Sequence, residues 1–469
     1  MTPVRTLLLS TYDLGRQPLG LASPAARLRQ AGVDVRAVDL SREPLTDDEI
    51  VRADAVAFYL PMHTATRLAM PLMDRVRALN PHATLAAYGL YAPLNADWLR
   101  ARGVTHVFAP RDERALVNLL ASAARAGAEE LAQSTPGPEF VTPDRSMLLP
   151  LARYAALQMP DGSRRVVGST DATHGCKHLC RHCPIVPVYG GTFRAVPLDV
   201  VLADVDAHVE AGAGHISFGD PDFFNGPTHA RRLVEALARR HPGLSYDVTI
   251  KIEHLLAHAD LLPVLRETGC LFVTSAVESV DDAVLEKLRK GHTRADFVRA
   301  VGLCREAGLT LAPTFVPFTP WTTIEGYGDL VATVASLDLV DAVAPIQLAI
   351  RLLVTAHSAL LELPDLVAAV DPFDPTALAW PWRHADPRVD ALQRQVMRLA
   401  SDPALPSRAD AFAAIAQAAD DAAAGADAPA VRLSSARVPR TPSGRPGTPY
   451  MTEAWYCCAE PGPEQLETV

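Results

Sequence analysis

A chain of 469 residues, 49% apolar and 21% charged, is longer than one ordinary hydrophobic core supports and has the composition of a globular protein with more than one domain. Its 44 basic and 54 acidic residues leave a formal charge of −10, and without a clustered Lys/Arg face this argues against nucleic-acid binding and for small substrates. No apolar run reaches the roughly 18 to 20 residues that cross a bilayer, and Tyr12, Asp13 and Arg16 follow the run Leu7-Leu8-Leu9 too soon for an export signal, so a cytoplasmic protein is expected.

Residues 1–126 alternate short β-rich runs with amphipathic stretches. Strands are predicted at 5–10, 33–39, 53–60, 83–88 and 104–108, and helices at 18–31, 64–79 and 111–126. Such alternation implies a parallel, doubly wound sheet of Rossmann type whose ligands lie beyond the carboxyl ends of the strands. Residues 127–150, with Ser134, Thr135, Pro136, Gly137 and Pro138 together, carry turn chemistry and read as a linker. From 151 to 355 a second series follows, with strands at 215–219, 245–250, 270–276, 310–316 and 340–348 and one before Cys176. Six strand-helix units are too few for a closed eight-fold barrel, so a partial (β/α)6 barrel is expected, with its chemistry at the strand ends. Residues 356–430 read as a helical extension and 431–469 as a flexible tail.

Of the seven cysteines, three lie within eight residues, two adjoin near the end and two are isolated. That is metal spacing in a reducing compartment and not a disulfide framework. Cys270 and Cys304 read as core residues. Cys176, Cys180 and Cys183 are soft thiolate donors suited to an iron–sulfur cluster. A cubane has four irons, so three cysteines leave one open, where a chelating amine and carboxylate could place a sulfonium beside a reducible cluster. The competing reading is a metal-carrying protein with a Cys₃His zinc site completed by His174, His178 or His182.

The spacing of Cys176, Cys180 and Cys183 resembles the signature of the radical S-adenosylmethionine (SAM) superfamily, over about residues 143–353. The resemblance implies a [4Fe–4S] cluster, SAM as a cofactor, an electron donor such as flavodoxin or ferredoxin, and a transferase-type reaction on a small molecule. It implies that His182, before the last cysteine, lies near the adenine. Gly219 and Asp220 stand where the family's glycine-containing turn binds the SAM amino group, although its usual Gly-Gly-Glu is absent. Glu278-Ser279, ahead of Lys290-Gly291, resembles the family's strand-end Glu-Ser; Ser279 also suits a helix N-cap. Glu253 is a weaker SAM-site candidate.

A doubly wound domain ahead of this core is similar to the cobalamin-binding-domain radical SAM proteins. The Asp-x-His-x-x-Gly loop that supplies a cobalt ligand elsewhere is missing, since Thr11–Arg16 contains no histidine, which leaves cobalamin open. The end of the chain, Cys457-Cys458-Ala459-Glu460-Pro461, resembles the CUAEP/CCAEP-tail group of bacterial radical SAM proteins. From this Cys457 and Cys458 are expected to capture a soft atom such as arsenic and present it at the open iron. The rival within the family is cobalamin-assisted methylation.

Overall fold

Five parallel strands open the chain in the computed structural model, which describes residues 5–123, 139–405, 407–424 and 447–453. They are β1 (Arg5–Ser10), β2 (Asp34–Asp39), β3 (Ala55–Tyr59), β4 (Thr84–Tyr88) and β5 (His106–Phe108), in the order β2-β1-β3-β4-β5. Runs such as Leu7-Leu8-Leu9 are buried throughout, as they must be in a sheet covered on both faces. Helices Leu19–Gln30 and Glu113–Ala123 pack on one side, and His63–Leu79 on the other. The winding reverses between β1 and β3, and the crevice beyond their carboxyl ends is where this topology binds ligands.

The second domain begins with the hairpin β6 (Ala156–Gln158) and β7 (Arg164–Thr170). A separate small hairpin, β8 (Thr173–Gly175) and β9 (Phe193–Ala195), brackets the cysteine triplet. Then come β10 (His215–Phe218), β11 (Ser245–Thr249), β12 (Cys270–Glu278) and β13 (Thr310–Phe315), each parallel to its neighbour and to β7. The result is a curled, open half-barrel with helices outside. Cys270 and Cys304 are buried in its core, as expected.

Two expectations need correction. Residues 340–348 do not form a sixth strand; they form 3-10 turns, Val340–Ala342 and Pro345–Leu348, because Pro345 offers no N–H to a ladder and suits the first position of a turn. Only an isolated parallel bridge, Phe318 to Arg351, extends the sheet there. Part of the tail expected to be flexible is docked: β14 (Tyr450–Met451) pairs antiparallel with β6, and Thr452 N donates to Ala156 O at 2.9 Å. An edge strand with free backbone groups is a template for this addition.

The segment joining the domains is stitched to both by Arg145. Its guanidinium pairs with both oxygens of Asp204 (2.7 and 2.9 Å), and donates to Ser169 O at 2.8 Å and to Gln17 Oε1 at 3.1 Å. Burial alone would raise the Asp204 carboxyl, but the adjacent Arg145 charge more than offsets this and holds it below its usual range. Arg145→Ala is therefore expected to strand a buried carboxylate at a cost of about 3–5 kcal/mol, read as a lower melting temperature. The loss is expected to be full above the ordinary carboxylate range and to shrink as pH falls through it, because the depressed group contributes only while ionised.

Candidate active site

The cysteine loop stands on the β8–β9 hairpin at the strand ends of the half-barrel. Gly175, just before Cys176, has φ +88°, and a Cβ there would lie 2.4 Å from the Tyr189 ring and 2.6 Å from Thr192 O, so only glycine makes this turn. Buried Asn225, beyond β10, grips both sides of Cys176. Its Oδ1 accepts from Lys177 N (3.2 Å) and its Nδ2 donates to Gly175 O (3.1 Å). At the other end, Arg181 N donates to Leu288 O, and Cys183 N closes a turn on Cys180 O.

The three thiols lie close enough to influence one another electrostatically. Burial pushes Cys176 up to about 11 and raises Cys183 as well, with the Cys180 thiolate adding to both shifts. A cationic metal core bound there would reverse that balance by displacing the protons. Behind the loop lies a buried charge network. Glu278 Oε1 is 3.1 Å from His182 Nε2 and 3.3 Å from Lys290 Nζ. Burial would raise the Glu278 carboxyl, but Lys290 and His182 hold it down at about 2, and the Lys290 ammonium also faces Cys180 and Cys183. Glu278 adopts φ +69°, a strained conformation for a side-chain-bearing residue that persists only where the surroundings enforce it. Next to Lys290, His292 is buried against the same charges, and among the described residues His182 Nδ1 is buried without a hydrogen-bond partner. Orphaned buried groups of this kind suit a polar ligand, and three thiols backed by a lysine suit an anionic iron–sulfur cluster.

A second brace involves His178, between Cys176 and Cys180. Asp222 Oδ2 lies 3.2 Å from His178 Nε2 and 2.6 Å from His254 Nδ1. These three have metal-ligand chemistry. Lys251 Nζ, however, bonds His178 Nδ1 at 3.2 Å, and an ammonium can only donate, so the imidazole proton sits on Nε2 facing Asp222. The group is a hydrogen-bonded brace on the loop.

The structure thus gathers Cys176, Cys180, Cys183, His182 and Glu278, and brings half-exposed Glu253 to 3.1 Å from Lys251 Nζ and 3.5 Å from His178 Nδ1. Gly219 sits against Asp171 and Arg16. Asp220 is engaged at the root of the hairpin, where its two oxygens accept from Ala172 N (2.8 Å) and Thr173 Oγ1 (2.6 Å). Burial, with Asp171 nearby, pushes its carboxyl up to about 7. Ser279 is not the helix cap: the positive φ at Glu278 delays the helix, so Asp281 caps Asp282–Lys287 and Ser279 Oγ accepts from Asp281 N. Arg351, beyond β13, pairs with Asp390 and stacks on Trp382. Cys457 and Cys458 lie outside the described residues. Asn225, Asp222, His178, Lys251, Lys290 and His292 were missed as a group, because no local spacing joins them.

Asn225→Ala removes both hydrogen bonds beside Cys176 and is expected to cost about 2 kcal/mol and to lower iron retained per chain after anaerobic reconstitution. Asn225→Asp keeps the acceptor for Lys177 N alone and is expected to fall between.

Comparison with known proteins agrees with this geometry. The sequence model of the radical SAM superfamily matches residues 171–325. The hopanoid C-3 methylase of Methylococcus capsulatus is 24% identical over 335 residues, covering 67% of this chain and 64% of that protein. The bacteriochlorophyllide d C-12(1)-methyltransferase of Chlorobaculum tepidum is 29% identical over 28% of each chain. The chain thus spans less than two thirds of the length of these curated relatives. Among solved structures, the cobalamin-dependent SAM radical enzyme OxsB superposes with a TM-score of 0.66 at 13% identity, covering 84% of this chain and 66% of that one. The radical SAM methyltransferase TsrM of Kitasatospora setae gives 0.54 at 17%, covering 72% and 71%. Over these covered parts the two share the fold described here, a doubly wound domain followed by a half-barrel. The model match assigns a radical SAM domain to residues 171–325, the segment that carries Cys176, Cys180 and Cys183.

Proposed function

We propose that this protein is a transferase that cleaves SAM reductively and moves a SAM-derived group onto a small molecule held between its two domains. The observation that carries this reading is a three-thiol loop fixed at the strand ends and adjoined by a cavity to which both domains contribute. The cavity measures about 190 Å3; Tyr59, Tyr88 and Glu113 line it from the first domain, and Asp171, His174 and Tyr189 from the second. Thr173, His174 and Gly175 belong both to its wall and to the stalk of the cysteine loop. The methylase relatives support group transfer as the reaction type.

Cys176, Cys180 and Cys183 would hold the [4Fe–4S] cluster. Bound there with SAM on the open iron, it supplies the single electron that breaks a carbon–sulfur bond of the sulfonium. The protein's own groups do the rest. Asn225 and the Asp222 brace keep the loop backbone in register. Lys290, held in place by Glu278, sets positive charge behind two thiolates, and the buried His182 Nδ1 offers a hydrogen bond to a polar cofactor. Gly219 and Glu253 stand at the ends of β10 and β11 where the SAM amino acid would lie. An electron donor of ferredoxin or flavodoxin type would meet the cluster from outside.

We assign soft-atom capture to Cys457 and Cys458, and the anchoring of the preceding residues supports it. Glu453 accepts from Tyr12 Oη at 3.1 Å, lies 3.5 Å from Arg42 Nη2 and packs against Gly15 beside the interdomain junction. Cobalamin-assisted methylation is the second reading, favoured by what OxsB and TsrM bind.

Reconstituted wild type is expected to hold about four irons per chain with a cluster signal that SAM perturbs, and each of Cys176→Ala, Cys180→Ala and Cys183→Ala to lose both. With arsenite, methylthioadenosine would identify aminocarboxypropyl transfer, whereas S-adenosylhomocysteine with 5′-deoxyadenosine would identify methylation. A cluster indifferent to SAM would overturn the assignment. Cys457→Ser with Cys458→Ser is expected to abolish As(III) binding while leaving the cluster intact; unchanged binding would refute the capture role.

A further inference from the structure

The architectural neighbours OxsB and TsrM hold cobalamin, and in a doubly wound domain such a ligand would enter the crevice at the winding reversal, beyond β1 and β3. In this chain that crevice is occupied by side chains. Tyr59, the last residue of β3, lies against the first turn of Leu19–Gln30 so closely that a Cβ on Gly20 would come within 2.2 Å of its ring. Tyr88, the last residue of β4, is buried beside it, with ring centroids 5.4 Å apart, and its hydroxyl donates to Gly20 O at 2.7 Å. Two neighbouring strand ends are thereby tied to the first turn of the helix that follows β1. Opening the crevice would expose two aromatic rings and break a buried hydrogen bond.

The space toward the barrel is filled as well. Arg16 leaves the β1 loop and reaches Ser217 Oγ at 3.2 Å, passing Gly219 and Asp171. Among the described residues, the space left here is the cavity of about 190 Å3 lined by the same Tyr59 and Tyr88, far short of a corrin ring with its nucleotide tail. The β1 loop, Thr11–Arg16, also offers no imidazole to cobalt.

We infer that the N-terminal domain is closed to corrinoids, with Tyr59 and Tyr88 acting as a built-in plug, and that it serves as a wall of the interdomain cavity and a dock for the segment ending at Glu453. Gly20 is the complement of the plug, since no other residue leaves room for the Tyr59 ring. The domain keeps the fold of a corrinoid carrier without its crevice. Of the two readings above, this leaves corrinoid-independent transfer.

The test uses the full-length, reconstituted protein incubated anaerobically with excess hydroxocobalamin, desalted, and read for corrinoid by visible spectroscopy and for iron in the same sample. Retention below half an equivalent of corrinoid, together with a melting temperature unmoved by hydroxocobalamin, is expected, because a ligand bound by the folded state must raise it. Retention of half an equivalent or more, or a clear rise in melting temperature, would overturn the inference. Iron content and the response of the cluster to SAM are separate readouts, so a corrinoid-positive result would leave the radical SAM assignment standing, and a cluster-negative one would not affect the plug.

Discussion

Three sulfur donors on one short loop can serve a single inorganic cluster only if the backbone between them is prevented from relaxing. Burial favours the protonated, unligated thiols, and ionised thiolates repel one another. The remainder of the half-barrel is organised around resisting that relaxation. Asn225 clamps the peptides on both sides of Cys176, the β8–β9 hairpin closes the loop at its base, and Arg181 is held by the carbonyl of Leu288. The restraints come from the ends of different strands, so the loop is only as well placed as the curvature of the whole sheet.

The same strand ends hold charges that would be expensive to bury singly. Glu278, Lys290 and His182 satisfy one another behind the thiols, and Asp222 is shared by two histidines. Buried groups paired in this way contribute definition more than stability, since removing one member strands the others. The strained backbone at Glu278 belongs to this arrangement: a residue at φ +69° is tolerated because its carboxylate is fixed on both sides.

The two domains are joined by polar contacts that converge near the site. Arg145 reaches Gln17 in one domain and Asp204 in the other; Arg16 crosses to Ser217; Glu453 returns from the end of the chain to Tyr12 and Arg42. Cavity, cluster loop and docked tail therefore share one junction. At the strand ends of the first domain, Tyr59, Tyr88 and Arg16 occupy the space that faces the half-barrel, and it is such strand-end residues, more than the architecture, that decide what a doubly wound domain can hold.

What could be read from the linear chain was whatever depends on local spacing. The alternation of apolar runs sufficed for the parallel sheets, because a strand buried on both faces needs an uninterrupted apolar stretch, and Cys176, Cys180 and Cys183 announce a metal because their donors sit on one loop. Cys457 and Cys458 are equally visible to a reader of sequence, and lie outside the described residues. Residues 340–348 misled because an apolar run with Val340 and Ile346 resembles a strand until Pro345 removes a ladder donor. Only the tertiary structure could reveal that Asn225, fifty residues from Gly175, is its partner, that Lys290 faces the thiols, that Asp220 ties down the hairpin, and that Tyr59 fills the space above Gly20. Those are contacts between strand ends, and strand ends distant in sequence become neighbours only when the sheet has curled.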